Sequence, residues 1–197
     1  MKSQKGSAFE REICKKLSLW WSDGERDDIF WRTSGSGARA TTRRKQGKRT
    51  RYESGDISFR DPVGKLFVDF FLLELKRGYS AGISVLDLID KGTGKKPLLL
   101  QWQEKLEKER EAIQRSWTLI IFRRNNRRTC LLMDIELYKL LEGECGGFNS
   151  DAIFIDRITF RWVIISLADF FDWVSPSTVK ELSREANLIR ESRKNAI

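Results

Sequence analysis

The sequence contains no histidine at all among its 197 residues. That absence excludes Ser-His-Asp and Cys-His nucleophilic mechanisms, which need an imidazole base. It excludes zinc sites and metal-nuclease sites built on imidazole as well. Cysteine is nearly absent too: Cys14, Cys130 and Cys145 are far apart, no C-x-x-C occurs, and three thiols cannot all pair. Reduced structural thiols are the expectation. No apolar run reaches 18 residues, so no membrane span is indicated. The start, Met1-Lys2-Ser3-Gln4-Lys5, lacks a signal-peptide pattern, and a cytoplasmic protein is expected. Any hydrolysis by this chain has to use carboxylates, lysine, or a metal held by oxygen.

What is present is positive charge. The net charge is +9 and about 40% of residues are hydrophobic. The length suits one domain with a real core, and the charge favours a polyanionic partner, nucleic acid first. Seven basic residues (Arg39, Arg43, Arg44, Lys45, Lys48, Arg49 and Arg51) fall together with no acid until Glu53. They lie in a polar stretch, residues 34–55, that reads as a long functional loop. If all seven met phosphates, binding would weaken with salt at a log–log slope of about −6.

The periodicity predicts helices over 5–21, 97–114, 134–142, 167–174 and 177–194, the last with Ser177 as its N-cap. Strands are predicted at 29–33, 56–60, 117–123, 128–133 and 152–165, with hairpin chemistry at 124–127. Residues 65–76 read as one long apolar strand covered on both faces, following a turn at 61–64. Helix, strands, helix, strands implies an α/β fold around a mixed sheet flanked by helices. The expected division is a catalytic domain over 1–175, including the basic loop 37–54, and a helical tail over 176–197.

Three residues carry the chemistry. Gly55-Asp56 opens a strand, and Glu74-Leu75-Lys76 ends the apolar one. Side chains at i and i+2 of a strand share a face, so Glu74 and Lys76 point the same way and Leu75 the other. If the two strands pair antiparallel about the 61–64 turn, Asp56 and Glu74 converge. Two carboxylates held together call for a cation between them. Mg²⁺, with Mn²⁺ able to substitute, would take Asp56, Glu74, the Leu75 backbone carbonyl, waters and a phosphate oxygen. It would lower the pKa of a bound water, and Lys76 would orient that water or stabilise developing charge. A Glu and a Lys at the end of an apolar strand are costly to bury without a function. Among other acids, Asp69 falls on the Leu75 side by parity and reads as structural or as a group supporting the metal ligands from behind, and Asp87 and Asp90 read as solvated. The seven tryptophans read mostly as core, with base stacking as a further role.

These segments, in this order, resemble the PD-(D/E)XK nucleases, and within them the archaeal-type Holliday junction resolvases. The matching parts are Lys5-Gly6-Ser7-Ala8-Phe9-Glu10-Arg11-Glu12, Arg32-Thr33-Ser34-Gly35-Ser36, Gly55-Asp56-Ile57 and Glu74-Leu75-Lys76. The resemblance implies a restriction-endonuclease-like fold and a catalytic set of Glu10, Asp56, Glu74 and Lys76. In that set Glu10 completes the metal site, directly or through water, and Glu12 is its competitor. Arg32, Ser34 and Ser36 become the substrate-contacting segment, beside the basic loop. Apart from the resemblance, Gln101, early in the helix after the Glu74 strand, is a candidate to touch a substrate or Lys76. The implied activity is a Mg²⁺-dependent DNA endonuclease cutting branched DNA. Symmetric cleavage of a four-way junction implies a homodimer. A restriction-like or repair nuclease, and a non-catalytic DNA-binding protein on the same scaffold, are the alternatives. The basic insertion at 37–54 and everything beyond about 135 depart from the minimal resolvase pattern.

Overall fold

A computed structural model describes residues 2–33, 54–78, 84–90, 94 and 96–195. Ser34, Ser36 and the seven basic residues from Arg39 to Arg51 lie outside the described residues. The elements run α1 (Lys2–Trp21), β1 (Phe30–Arg32), β2 (Ile57–Phe59), a 3-10 turn (Pro62–Gly64), α2 (Lys65–Phe70), β3 (Phe71–Arg77) and α3 (Asp87–Asp90). They continue with α4 (Leu98–Ile113), β4 (Trp117–Arg123), β5 (Thr129–Asp134), α5 (Ile135–Cys145), β6 (Ala152–Arg157), β7 (Phe160–Ser166), α6 (Leu167–Trp173) and α7 (Pro176–Asn195).

The main sheet has the order β3-β4-β5-β7-β6. The pair β3–β4 is parallel and in register, Glu74 opposite Ile120 and Lys76 opposite Phe122. A parallel pair needs a crossover, and α4 supplies it. The remaining pairs are antiparallel. One sheet face buries Leu73, Leu75, Leu119, Ile121, Leu131 and Val163 under α1, α2, α5, α6 and α7. The other buries Leu72, Ile120, Phe122 and Leu132 under α3 and α4. This mixed sheet with helices on both faces is the expected restriction-endonuclease-like architecture.

Residues 65–70 differ from the expectation of a continuous strand: they form the short helix α2, and the strand begins only at Phe71. Leu66-Phe67-Val68 and Phe70-Phe71 are apolar on every side, so periodicity could not separate helix from strand. The helix puts Asp69 in the core, 3% exposed, paired with Arg115 (3.4 Å) and Lys65. Asp69 thus anchors α2 to the connection between α4 and β4.

The hairpin expected about residues 61–64 also does not form. Strand β2 pairs antiparallel with β1, Trp31 opposite Ser58. The helix α7 starts at Pro176, one residue earlier than expected. Its cap is Ser175, whose hydroxyl accepts from Thr178 N–H at 3.1 Å, and Ser177 lies inside the helix. Proline at the first helical position is favourable because its missing N–H would have no partner there. Val179 and Leu182 of α7 are buried in the core, and the Ser183 hydroxyl donates to the Leu66 carbonyl at 2.8 Å.

Candidate active site

Strand β3 bonds β4 along one edge through its even-numbered residues. Its other edge faces the chain entering β2. There Asp56 N–H donates to the Leu73 carbonyl (2.9 Å), and one Asp56 carboxylate oxygen accepts from Leu75 N–H (2.7 Å). The N–H and C=O of one strand residue point to the same edge, so the Leu75 carbonyl also faces this side. On the far side, Thr33 N–H donates to the Asp56 carbonyl at 2.9 Å. Asp56 is therefore clamped between the end of β1 and the middle of β3. It reaches Glu74 by main-chain docking against β3 rather than by the expected hairpin.

Gly55 makes this approach geometrically feasible. Its φ is +76°, and a Cβ there would come within 2.8 Å of both the Leu73 carbonyl and a Leu72 methyl. Its N–H donates to a Glu109 carboxylate oxygen on α4 at 3.1 Å. The turn before Asp56 is thus held from two directions.

Glu74 and Lys76 lie on the α4 face of the strand, as parity requires. Glu74 is 7% exposed. Its carboxylate is bonded by Lys76 and lies 3.8 Å from the Lys105 amine. The Lys76 amine also sits 5.6 Å from the centre of the Trp102 ring. Trp102, Lys105 and Glu109 recur at spacings of three and four, one face of a helix. That face of α4 covers Lys76, Glu74 and Gly55 in turn. The sequence reading missed Lys105 and Glu109. They resemble any charged pair on a solvated helix until the crossover brings that helix over β3. Gln101 is exposed, and its amide donates to the Lys96 carbonyl.

From the opposite sheet face, α1 contributes Glu10. Burial pushes the Asp56 carboxyl up to about 6, and the neighbouring charges of Glu74 and Glu10 push the same way. The Leu75 N–H and the Lys76 charge pull against them. Glu10 is also 3.6 Å from Arg32. Glu12 has a different position: Arg123 grips both its oxygens, one at 2.9 Å, and Lys16 lies 3.1 Å away. These cations hold its carboxyl down near 2. Of the two acids on α1, Glu10 is the one whose charge reaches Asp56. Trp31, beside Arg32, is exposed, with the Arg60 guanidinium 5.6 Å from its ring.

These features form a half-buried aspartate, a buried second carboxylate and a lysine two residues beyond it, at the open edge of the first parallel strand. A family model described as "Phage putative PDDEXK endonuclease" matches residues 1–181. The chain belongs to this PDDEXK endonuclease family. The match spans α1, the whole sheet and the opening of α7, so it covers every element that builds the site. No curated protein and no solved structure matches the chain.

The donor chemistry suits a hard divalent cation. Asp56, Glu74 and the Leu75 carbonyl offer oxygen only, and Mg²⁺ is commonly held by one or two carboxylates, with waters and substrate phosphates completing its shell. Among the described residues, no group of three or more His, Cys, Asp or Glu side chains could hold a metal alone. The amines of Lys76 and Lys105 now supply the counter-charge at Glu74. Among the described residues, no helix is long and apolar enough to cross a membrane.

Proposed function

We propose that this PDDEXK protein is a Mg²⁺-dependent DNA endonuclease, in which Asp56 and Glu74 hold the cation and Lys76 serves the attacking water. The observation that carries this reading is the clamping of the half-buried Asp56 against β3, one oxygen on the Leu75 N–H, with the charges of Glu74 and Glu10 acting on it. Burying carboxylates against one another is unfavourable unless a cation compensates them. When bound, Mg²⁺ would supply an activated water and offset charge developing at the phosphorus.

The protein's own groups have defined tasks. The Leu75 N–H fixes the rotamer of Asp56, whose carboxylate would take the cation. Lys76, on the same strand face as Glu74, is placed to orient the water and stabilise the developing negative charge. Glu10 would join through a water. Lys105 balances Glu74 before substrate arrives. Arg32 and the basic segment from Arg39 to Arg51, with Ser34 and Ser36, would hold the phosphate backbone. The finer reading is resolution of four-way DNA junctions by a homodimer. It is supported by the N-terminal Lys-Gly-x-x-x-Glu-Arg-Glu segment and its order relative to Asp56 and Glu74-Leu75-Lys76.

The test uses labelled four-way junction, flap, duplex and single-stranded DNA, incubated with Mg²⁺ or EDTA and with wild type or Asp56→Asn. Paired symmetric nicks on the junction alone are expected, lost with EDTA and in the variant. Cleavage of plain duplex would replace the junction reading with a restriction-like or repair nuclease. Cleavage that persists in EDTA would remove the metal site.

A further inference from the structure

Strands β3 and β4 run parallel and in register, so they end together. Beyond Lys76 comes Arg77, opposite Arg123, and β4 then turns through Arg124-Asn125-Asn126-Arg127-Arg128 into β5. Residues 124–128 are all exposed. Asn126 takes the left-handed conformation (φ 57°) that closes a tight turn, and Arg127 N–H donates to the Arg124 carbonyl at 3.2 Å. The strands behind the turn are anchored by buried Phe122 and Leu131. The tip is therefore a rigid mount for three guanidinium groups.

Their electrostatic setting differs from that of the arginines held in ion pairs. Arg26, Arg32, Arg110, Arg115, Arg123 and Arg161 are all ion-paired. Arg77, Arg124, Arg127 and Arg128 have no ion pair among the described residues. Four cations without an ion pair among the described residues thus stand at or just beyond the end of the strand bearing Glu74 and Lys76. With a rise of about 3.3 Å per residue and about 4.8 Å between strands, the Cα of Arg124 lies roughly 8 Å from that of Lys76. A phosphodiester backbone placed at Glu74 and Lys76 would have its next phosphates within reach of these side chains. Guanidinium groups bind phosphate oxygens bidentately, which suits fixed arginines on a stiff turn.

We propose that the β4–β5 turn, with Arg77, is a second DNA-backbone surface, which carries a duplex arm away from the cleavage site across the end of the sheet. It rests on the nuclease reading for its choice of DNA as the polyanion. It is separate in the chain from the basic segment before Asp56.

The experiment compares full-length wild type, an Arg124→Gln/Arg127→Gln/Arg128→Gln triple variant and the corresponding Arg→Lys triple variant. Each is titrated against a labelled duplex in EDTA between 50 and 200 mM salt, and cleavage is assayed separately with Mg²⁺. Circular dichroism melts check that each variant folds; the turn is exposed, so wild-type melts are expected. Three lost phosphate contacts reduce the salt slope by about 2.7, so the affinity lost across this salt range should be about 40-fold smaller in the glutamine variant. The lysine variant should keep most of the wild-type slope. Equal slopes and affinities for wild type and the glutamine variant overturn the surface, whether or not the wild type cleaves. A reduced slope with no cleavage by wild type leaves the surface standing and removes the nuclease reading.

Discussion

Asp56 carries a carboxylate that the fold does not favour charged. Its ordinary value is 3.8, and burial with two neighbouring acids raises it to about 6. The sign follows from linkage: an acid raised in the folded state contributes stability below about pH 4, and that stability is lost as the pH rises through about 6. A shift of that size corresponds to about 3 kcal/mol at most. Asp56→Asn keeps the side-chain oxygen facing the Leu75 N–H and removes the charge. The variant should therefore melt higher than wild type at pH 7.5, with the difference vanishing below about pH 4. Parallel thermal melts from pH 4 to 8 check this, and a variant less stable at every pH would contradict the buried-charge account. Glu12 behaves in the opposite sense. Its carboxyl is held near 2 by Arg123, so its contribution is present above about pH 4.5 and fades as the pH falls through about 2. Being partly exposed and screened, it contributes little. Asp56, Glu74 and Lys76 stood out in the sequence as candidates because charge at the end of an apolar strand is costly to bury. Glu109 and Lys105 did not, since nothing local distinguishes them from solvated helix residues.

At the scale of elements, helix α4 organises the site. Glu109→Ala should free the Gly55 turn and lower kcat roughly ten-fold, with a smaller effect on DNA affinity, since Glu109 carries no phosphate-binding charge. Equal loss in kcat and in binding would point instead to general disruption. Gly55→Ala is expected to be worse, because φ +76° and contacts at 2.8 Å leave no room for a methyl group. Strain of that kind costs about 1–3 kcal/mol, and loss of both stability and cleavage is the outcome to look for. Beyond β3, the elements β4, β5 and α4 match their expected spans, whereas 152–165, expected as one strand, is the antiparallel pair β6 and β7 turning back at residues 158–159, and α3 falls in an expected loop. The turn at Arg124–Arg127 and the amphipathic spacing of Leu98, Trp102 and Leu106 are local signals, and β4, β5 and α4 follow from them. Residues 65–70 were misread, because a short segment apolar on all sides suits a buried helix or a buried strand equally. Only the packing of α2 against α7, and the pairing of Asp69 with Arg115, decides between them.

For the whole molecule, net charge +9 is a statement about partners. Neutralising Arg43, Arg44 and Lys45 to glutamine should weaken DNA binding and flatten its salt slope by about 2.7. A slope unchanged from wild type would take that segment out of the interface. Helix α7 is joined to the rest through buried Val179 and Leu182 and the Ser183–Leu66 hydrogen bond. Truncation after Val174 should therefore expose the α2 face and abolish the cooperative melt, whereas Ser175→Ala should cost only about 1 kcal/mol as a lost helix cap. The architecture was legible as a mixed sheet between helices. The route by which Asp56 meets Glu74 was not, because pairing between segments distant in sequence depends on which edge of β3 is left open, and periodicity does not encode that.

The central claim is that Asp56 and Glu74 share one divalent cation. Calorimetric titration of Mn²⁺ into wild type, Asp56→Asn and Glu74→Gln tests it without any DNA. One site in the wild type, weakened ten-fold or more by either substitution, is the predicted result. Binding of equal strength in all three proteins would contradict it.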